Sequence, residues 1–385
     1  MKRILFLVIV LVCIAPLAAL DTHTEPSIEI PSARMAALGG YHAALADDVS
    51  VLFANPAGYR RPEPELSVSE LTLNVSGPIF DMANLFLEGG DIASNPETVE
   101  LFNSLYSGMK LLGPVAVAFV GDGVGFGVYN STGVVIESPT TTDFRTTLTE
   151  EFLLIGGYSF RLPALEGTIH TLDMGLNMKG FLRGEGGFSY SLLLINDFID
   201  SLGPGLIMDE PYANISGIGF DLGLLYSYGD SFSFGLVGQD VFSPTLRSTY
   251  LSLQDYLDGA AVADKTNGVL PFKLHTGVRW SPPLKGFSDY FSRINLYLDY
   301  RDLLDFWVYP QLATNPVLHL SAGAELQMLE ILSLRAGLYE GLMAAGLGVD
   351  LSFAKLNLAM YGSENSIEPG LQPVYNVIVG LEFKY

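Results

Sequence analysis

The sequence predicts an all-β fold: a transmembrane antiparallel β-barrel of about fourteen strands with a compact N-terminal segment inside its lumen. Three observations carry this. Apolar and polar residues alternate with period two through most of the 385 residues. Many alternating runs are about 9–12 residues long, the span a tilted strand needs to cross a bilayer, whereas ordinary strands average about 5–6. The links between runs alternate short and long, as periplasmic turns and external loops do.

Residues 1–20 read as a secretory signal peptide. Lys2 and Arg3 precede the apolar run "ILFLVIVLVCIAPLAAL", and the first acid is Asp21. Cys13, the sole cysteine, lies within that run and leaves with it, so the mature chain is held without disulfides. Mean hydropathy is +0.33, yet no other apolar run is long enough for a spanning helix. Formal net charge is −22, which excludes nucleic acid as a partner, since phosphates need a basic face.

Residues 21–60 form the second unit. "ALGGYHAALADDVSVLFANPAG" is rich in small residues, ends in Asn-Pro-Ala-Gly and precedes the first strand. A lumen this wide cannot be filled by its own wall side chains, so a compact segment folded into it acts as a plug. Gly39-Gly40 permits a sharp bend, Asn55-Pro56 forces a turn or extended geometry, and Gly58 releases the chain into the barrel. Asp47 and Asp48 are expected either to pair with lumen arginines such as Arg279 or Arg335, or to cap a short helix.

Ala33 to Tyr59, "ARMAALGGYHAALADDVSVLFANPAGY", resembles the N-terminal hatch of the FadL-like outer-membrane transporter superfamily, in its Gly-Gly, Ala-rich stretch, Asp-Asp and Asn-Pro-Ala-Gly. "LSLRAGLYEGLMAAGLGVDLSFAKLNLAMYGSE" is similar to the spirochaete FadL-like and PorV-type branch. The resemblance implies a hatch-plugged barrel that passes hydrophobic compounds such as long-chain fatty acids inward. PorV-type relatives serve protein secretion instead, so the resemblance leaves the cargo open.

Residues 61–385 supply the barrel. Expected strands are 65–75, 113–120, 123–132, 148–160, 171–182, 217–228, 231–241, 272–281, 291–301, 316–326, 331–340, 342–353, 355–362 and 374–385. In the last of these, Tyr375, Val377, Val379, Leu381, Phe383 and Tyr385 alternate with Asn376, Ile378, Gly380, Glu382 and Lys384. The apolar set faces outer-membrane lipid and the other set faces the lumen. Aromatics at strand ends (Phe160, Tyr226, Tyr228, Trp280, Tyr375, Tyr385) match interfacial girdles. An even strand count puts both termini on the periplasmic side, and the C-terminal strand is expected to engage the outer-membrane barrel assembly machinery.

The same parity assigns the lumen. "GDGVGFGVY" places Gly125 and Gly127 inward, a bare wall on which the hatch docks or at which a strand bends. Its glycine spacing is that of a strand rather than a phosphate loop. Arg279, Asp299, Arg335 and Asp350 also point inward, as cross-barrel partners or as a channel lining.

Three long connections are more apolar than solvated loops. Leu193, Phe198 and Leu202 lie in 183–216; Leu246, Tyr250, Leu253 and Leu257 recur at helical spacing in 242–271; Val99, Phe102, Tyr106 and Met109 share a helical face in 76–112. These loops either cap the barrel mouth or line a groove for a hydrophobic small molecule. Residues 133–147 and 302–315 are the other expected external loops. Neither G-x-S-x-G nor H-E-x-x-H occurs, and no pair of the five histidines has ligand spacing, so the reading assigns no catalytic residue, no metal and no cofactor. Three functions remain: a hatch-gated transporter of hydrophobic compounds, a PorV-type assembly or secretion partner, and a general porin.

Overall fold

A computed structural model describes residues 23–60, 63–78, 105–140, 143–163, 168–191, 205–284, 291–308, 310–311 and 313–385. Fourteen antiparallel strands close into a barrel. In chain order they are β1 (Glu65–Ser76), β2 (Tyr106–Gly121), β3 (Val124–Thr140), β4 (Asp143–Arg161), β5 (His170–Ser191), β6 (Tyr212–Tyr228), β7, β8, β9 (Phe291–Tyr300), β10 (Leu320–Met328), β11 (Leu332–Tyr339), β12 (Leu342–Asp350), β13 (Ala354–Glu364) and β14 (Pro373–Lys384). β7 is interrupted between Phe232–Phe242 and Pro244–Tyr250, and β8 between Asp264–Val269 and Lys273–Trp280. Closure is made by β14 on β1, with Val379 opposite Leu73 and Leu381 opposite Leu71.

Side-chain parity decides which face is which. Leu71, Leu73, Phe126, Leu154, Met178, Leu298, Leu347, Leu358 and Val379 stand exposed on the outside, while Thr72, Glu151, Asp173, Asn177, Asp221, Asp299 and Asn376 are buried on the inside. An apolar outside and a polar inside is the pattern of a barrel solvated by lipid. The wall is lopsided. β2 to β6 run 16 to 22 residues, whereas β9 to β12 run 8 to 10. At a rise of about 3.3 Å per residue and a tilt near 40°, the short strands just span the hydrocarbon and the long ones stand beyond it.

Several sequence-based boundaries shift. In the stretch 133–147, expected as a loop, residues 133–140 and 143–147 are the upper part of the β3–β4 hairpin, with Ile136 opposite Thr146 and Thr140 opposite Asp143. The stretch is polar but Thr-rich, and β-branched residues keep it extended above the apolar band. β2 starts at Tyr106, so Tyr106 and Met109 lie on a strand rather than a loop helix, while Val99 and Phe102 fall outside the described residues. Pro316–His319 is a 3-10 turn capped by Asn315 rather than the start of a strand.

The N-terminal segment lies within the lumen. It contains α1 (Ala33–Ala37), N-capped by Ser32, then α2 (Val51–Ala54) and a 3-10 turn at Pro56–Arg60. Val51, Leu52 and Tyr59 form one buried cluster with wall residues Leu112, Val120, Leu153, Ile155, Phe181 and Ile215. Upstream of α1, an extended leg climbs away from the short turns. His23 and Thr24 pair in parallel with Gly268 and Val269 at the long-loop end of β8.

Candidate functional site

The segment is seated on bare wall. A methyl group at Gly175 would lie 2.2 Å from the Pro56 carbonyl carbon, one at Gly235 2.0 Å from the Ala43 oxygen, and one at Gly323 2.4 Å from the Leu38 oxygen. Gly125 meets the Tyr59 ring at 2.8 Å, and Gly127 is covered by the Tyr129 ring at 2.5 Å. Distances this short leave no room for a β-carbon, so backbone lies directly on backbone. Gly39 and Gly40 have φ of +86° and +111°, a region open to glycine, and Gly39 is wedged against the Leu338 and Ala322 oxygens.

Polar contacts fix the register. Asn55 is fully buried; its amide donates to the Ala43 carbonyl at 2.6 Å and the Leu224 carbonyl at 3.2 Å, and its oxygen accepts from Ala57 N at 3.0 Å, so it closes the turn that Pro56 opens. A β-carbon at Gly58 would lie 3.2 Å from the Ala46 methyl. His42 stacks on Tyr297 at 4.6 Å, and its ring nitrogens face the Asp299 carboxylate at 2.6 Å and the Leu38 carbonyl at 2.9 Å. Asp299 also accepts from Ala43 N at 2.7 Å.

The acids Asp47 and Asp48 do not meet Arg279, and Arg335 is not their direct partner. Their guanidinium is Arg34 of the segment itself, at 2.8 Å from Asp47 and 2.6 Å from Asp48. Arg34 also reaches Glu325 of β10 at 2.7 Å, and Arg335 binds the same carboxylate at 2.8 Å. The pairing is relayed, Asp–Arg–Glu–Arg, because Arg34 projects from α1 into the gap between segment and wall. Burial pushes the Asp48 carboxyl up, but Arg34 and Lys355 pull it down further, so it sits below its ordinary value. Arg279 instead lies 3.4 Å from the Ser233 hydroxyl, and Asp350 pairs with Lys384 at 2.5 Å.

Two cavities flank the segment. Toward the short turns lies a charged one of about 180 Å³, lined by Asp47, Asp48, Glu65, Glu70, Glu325, Asp350 and Glu382 together with Arg34, Arg293, Arg335 and Lys355. Toward the long loops lies one of about 300 Å³ with a mixed lining, in which Ile28, Ile30, Met35, Leu52, Phe53, Leu153, Ile155, Phe181, Leu270 and Ile378 form the apolar part and Lys110, Lys179, Asp221, Asp240, Lys273, His275 and Arg301 the polar part. Ile30, Pro31, Ser32, Tyr41 and Phe53 line both, so they form a partition one side chain thick. Tyr41 donates to the Ile30 carbonyl at 3.0 Å, and its ring stands 5.9 Å from Phe53, which in turn meets Tyr129 at 5.1 Å. A third, polar space of about 310 Å³ lies above β9 and β11, between His275, Asp302, Asp305, His319 and Glu340.

Among the described residues, those expected to form an apolar groove do not line a common one. Leu193, Phe198 and Leu202 fall outside the described residues. Leu246 and Tyr250 lie on β7, not on a helix, and Leu246 faces outward. Only Leu253–Leu257 is helical, with Leu257 exposed. None of these four lines the apolar cavity. Its walls come from Leu153, Ile155, Phe181 and Ile378, apolar residues at lumen parity. Apolar side chains breaking an otherwise polar inner row were the available signal.

No family profile and no curated protein sequence matches the chain. Among solved structures it is similar in outline to the toluene transporter TodX of Pseudomonas putida, at 13% identity and a TM-score of 0.47, over 94% of this chain and 99% of TodX. CymD, a monoaromatic hydrocarbon channel, is similar at 13% identity and 0.47, over 90% of this chain and 95% of CymD. The toluene transporter TbuX of Ralstonia pickettii is similar at 11% and 0.45, over 94% and 98%. The likeness is one of outline alone.

Proposed function

We propose that this barrel passes hydrophobic small molecules across a bacterial outer membrane and that the N-terminal segment is its gate. The observation that carries the proposal is the apolar cavity at the long-loop end, floored by Met35, Leu52 and Phe53 of the segment itself. Phe181, Ile155 and Leu270 stand at inward positions, where they pack against the segment and leave an apolar surface beside it. For a hydrophobic guest each buried methylene contributes about 0.8 kcal/mol. The guest enters from the long-loop side, rests on the segment and leaves through the charged cavity once the Ile30–Ser32, Tyr41 and Phe53 partition moves. Long-chain fatty acids are one cargo of this class, and the hatch resemblance of Ala33 to Tyr59 points the same way.

Gently purified protein, analysed by native mass spectrometry with lipid identification and by planar-bilayer recording, tests the proposal. Bound hydrophobic molecules and an electrically silent barrel are expected. Steady ohmic conductance in the absence of cargo identifies a general porin and overturns it. An empty barrel that co-purifies with a secreted or periplasmic protein also overturns it, in favour of a secretion partner.

A further inference from the structure

The connection between β9 and β10 straddles the wall: Asp302, Asp305 and His319 face the polar cavity beside His275, while Leu304 and Val308 reach the outer side. After Tyr300 the chain runs on beside β8, where Leu303 N donates to the Leu274 carbonyl at 2.7 Å, and it then forms α3 (Asp305–Val308). Leu304 and Val308 pack against Val241, Phe272, Leu222 and Leu274. Leu222 and Leu274 belong to the outward rows of β6 and β8. Val241 and Phe272 sit over the outer side of Gly238, where a β-carbon would lie 3.1 and 3.3 Å from them.

This is the place where the wall's ladder is irregular. Between the pairs Phe220–Phe242 and Leu222–Gly238, Asp221 alone faces three residues of β7, and β8 is interrupted beside them. The connection covers that defect from outside. It is pinned by Asp305, whose carboxylate lies 2.9 Å from His319 Nε2 and accepts from Thr314 N at 3.2 Å.

The height of the contact follows from strand geometry. Leu222 is six residues from Tyr228, the aromatic at the short-turn end of β6, which places it about 15 Å further along the barrel axis, inside an apolar band about 25 Å tall. On its far side α3 exposes Phe306 and Trp307, 70% and 72% accessible. Leu303, Val317 and Leu320 of the same connection and the start of β10 are also exposed, and so is Leu298 on the outer face of β9. The connection leaves β9 directly above that lipid-facing row, which commits its occupant.

We infer that the β9–β10 connection is a membrane-embedded clasp: α3 lies in the outer leaflet with Phe306 and Trp307 among acyl chains, and its inner face seals the β7–β8 irregularity against lipid. A large exposed aromatic pair is stable in that setting and costly in water.

The chain has two tryptophans, Trp280 and Trp307, so each conservative single replacement leaves one reporter. In lipid vesicles containing phosphatidylcholine brominated along one acyl chain, Trp280→Phe protein, which reports Trp307, should lose emission to a degree comparable with Trp307→Phe protein, which reports Trp280 at the opposite end of the same strand system. Aqueous acrylamide should quench neither strongly. Strong acrylamide quenching of Trp307 with no effect of brominated lipid places the connection in water and overturns the inference. Shielding from both quenchers, relieved when the protein is diluted with excess lipid, places Trp307 against a second copy and overturns it as well. Heat-modifiable migration confirms that each variant is a folded barrel before the comparison.

Discussion

Arg34→Met is the most direct probe of how the segment is retained. Arg34 makes contacts of 2.6 to 3.0 Å to Asp47, Asp48 and Glu325, and all four side chains are 14% or less exposed. Two of these acids belong to the segment and one to β10. The guanidinium therefore supplies the attraction between plug and wall at this point. Its removal weakens the contact, because Asp47 and Asp48 then face Glu325 across the same gap, with only Lys355 near Asp48 and Arg335 on Glu325 as remaining cations. Breaking a buried charge pair from one side costs about 3–5 kcal/mol. If that cost falls on the docked state, the undocked fraction rises from about 10²-fold to several thousand-fold, since about 1.4 kcal/mol is tenfold. Planar-bilayer recording should show long open events in the variant and rare ones in the parent, with heat-modifiable migration confirming an intact barrel.

The pH response provides a second readout of the same variant. In the parent, the depressed Asp48 carboxyl keeps its docking contribution above the ordinary carboxylate range near pH 4 and loses it as pH falls through its lower, folded value. Acid opens the parent only below that range. In Arg34→Met the burial effect dominates, so protonation relieves the repulsion and mild acid closes the variant. A variant as silent as the parent at pH 7, or one whose opening grows as pH falls from 7 to 5, refutes the assignment of Arg34 as the tether.

Other expectations follow from the same geometry. Gly175→Leu puts a side chain where the Pro56 backbone lies 2.2 Å from the β-carbon position, so the barrel should assemble but conduct, read in the same bilayer assay. Phe53→Ala removes the ring shared by both cavities and is expected to raise uptake of a radiolabelled hydrophobic probe while leaving barrel migration unchanged; unchanged uptake contradicts the partition. Asp302, in the connection after β9, has its carboxyl pushed up to about 6, first by burial and further by Asp305, against the opposing pull of Lys273. Its buried Oδ1 has no hydrogen-bond partner. A raised acid binds more protons folded than unfolded, so stability falls as pH rises from about 4 to about 6. Asp302→Asn should remove that fall and raise thermal stability above pH 6, by on the order of 1–2 kcal/mol after solvent screening. Asn also tolerates the φ of +48° found there.

Most of the wall was legible because a pleated strand writes its two environments directly into alternate residues. "VYNVIVGLEFKY" needs no partner to reveal that Val377 and Val379 share one face and Asn376 and Glu382 the other. The glycine rows at Gly125 and Gly346 were legible as bare wall for the same reason, and Gly346 lies 2.5 Å, at its β-carbon position, from the Ala37 methyl. The helical reading held for Leu253 and Leu257 but failed for Leu246 and Tyr250, for a physical reason. Spacing of three and four is compatible with a helix, but pairing of Leu246 with Ser216 and Asn267 across two ladders outweighs a weak local preference. The 133–147 stretch misled in the opposite direction, since polarity was read as loop where a strand simply extends above the membrane.

Composition and period two together decide that the chain closes on itself as a barrel, because strands with one lipid-compatible face and one polar face have no other way to satisfy every backbone group in hydrocarbon. Which guanidinium answers Asp47 and Asp48, where Phe53 and Tyr41 separate the charged cavity from the apolar one, and that the β9–β10 connection turns outward over Gly238 were decided only in three dimensions. Each depends on residues up to 291 positions apart, as Arg34 and Glu325 are, and on how a short irregular segment settles against a curved wall. Local periodicity carries no information about such contacts, since it records which side of a strand a residue occupies and nothing of what stands across the lumen.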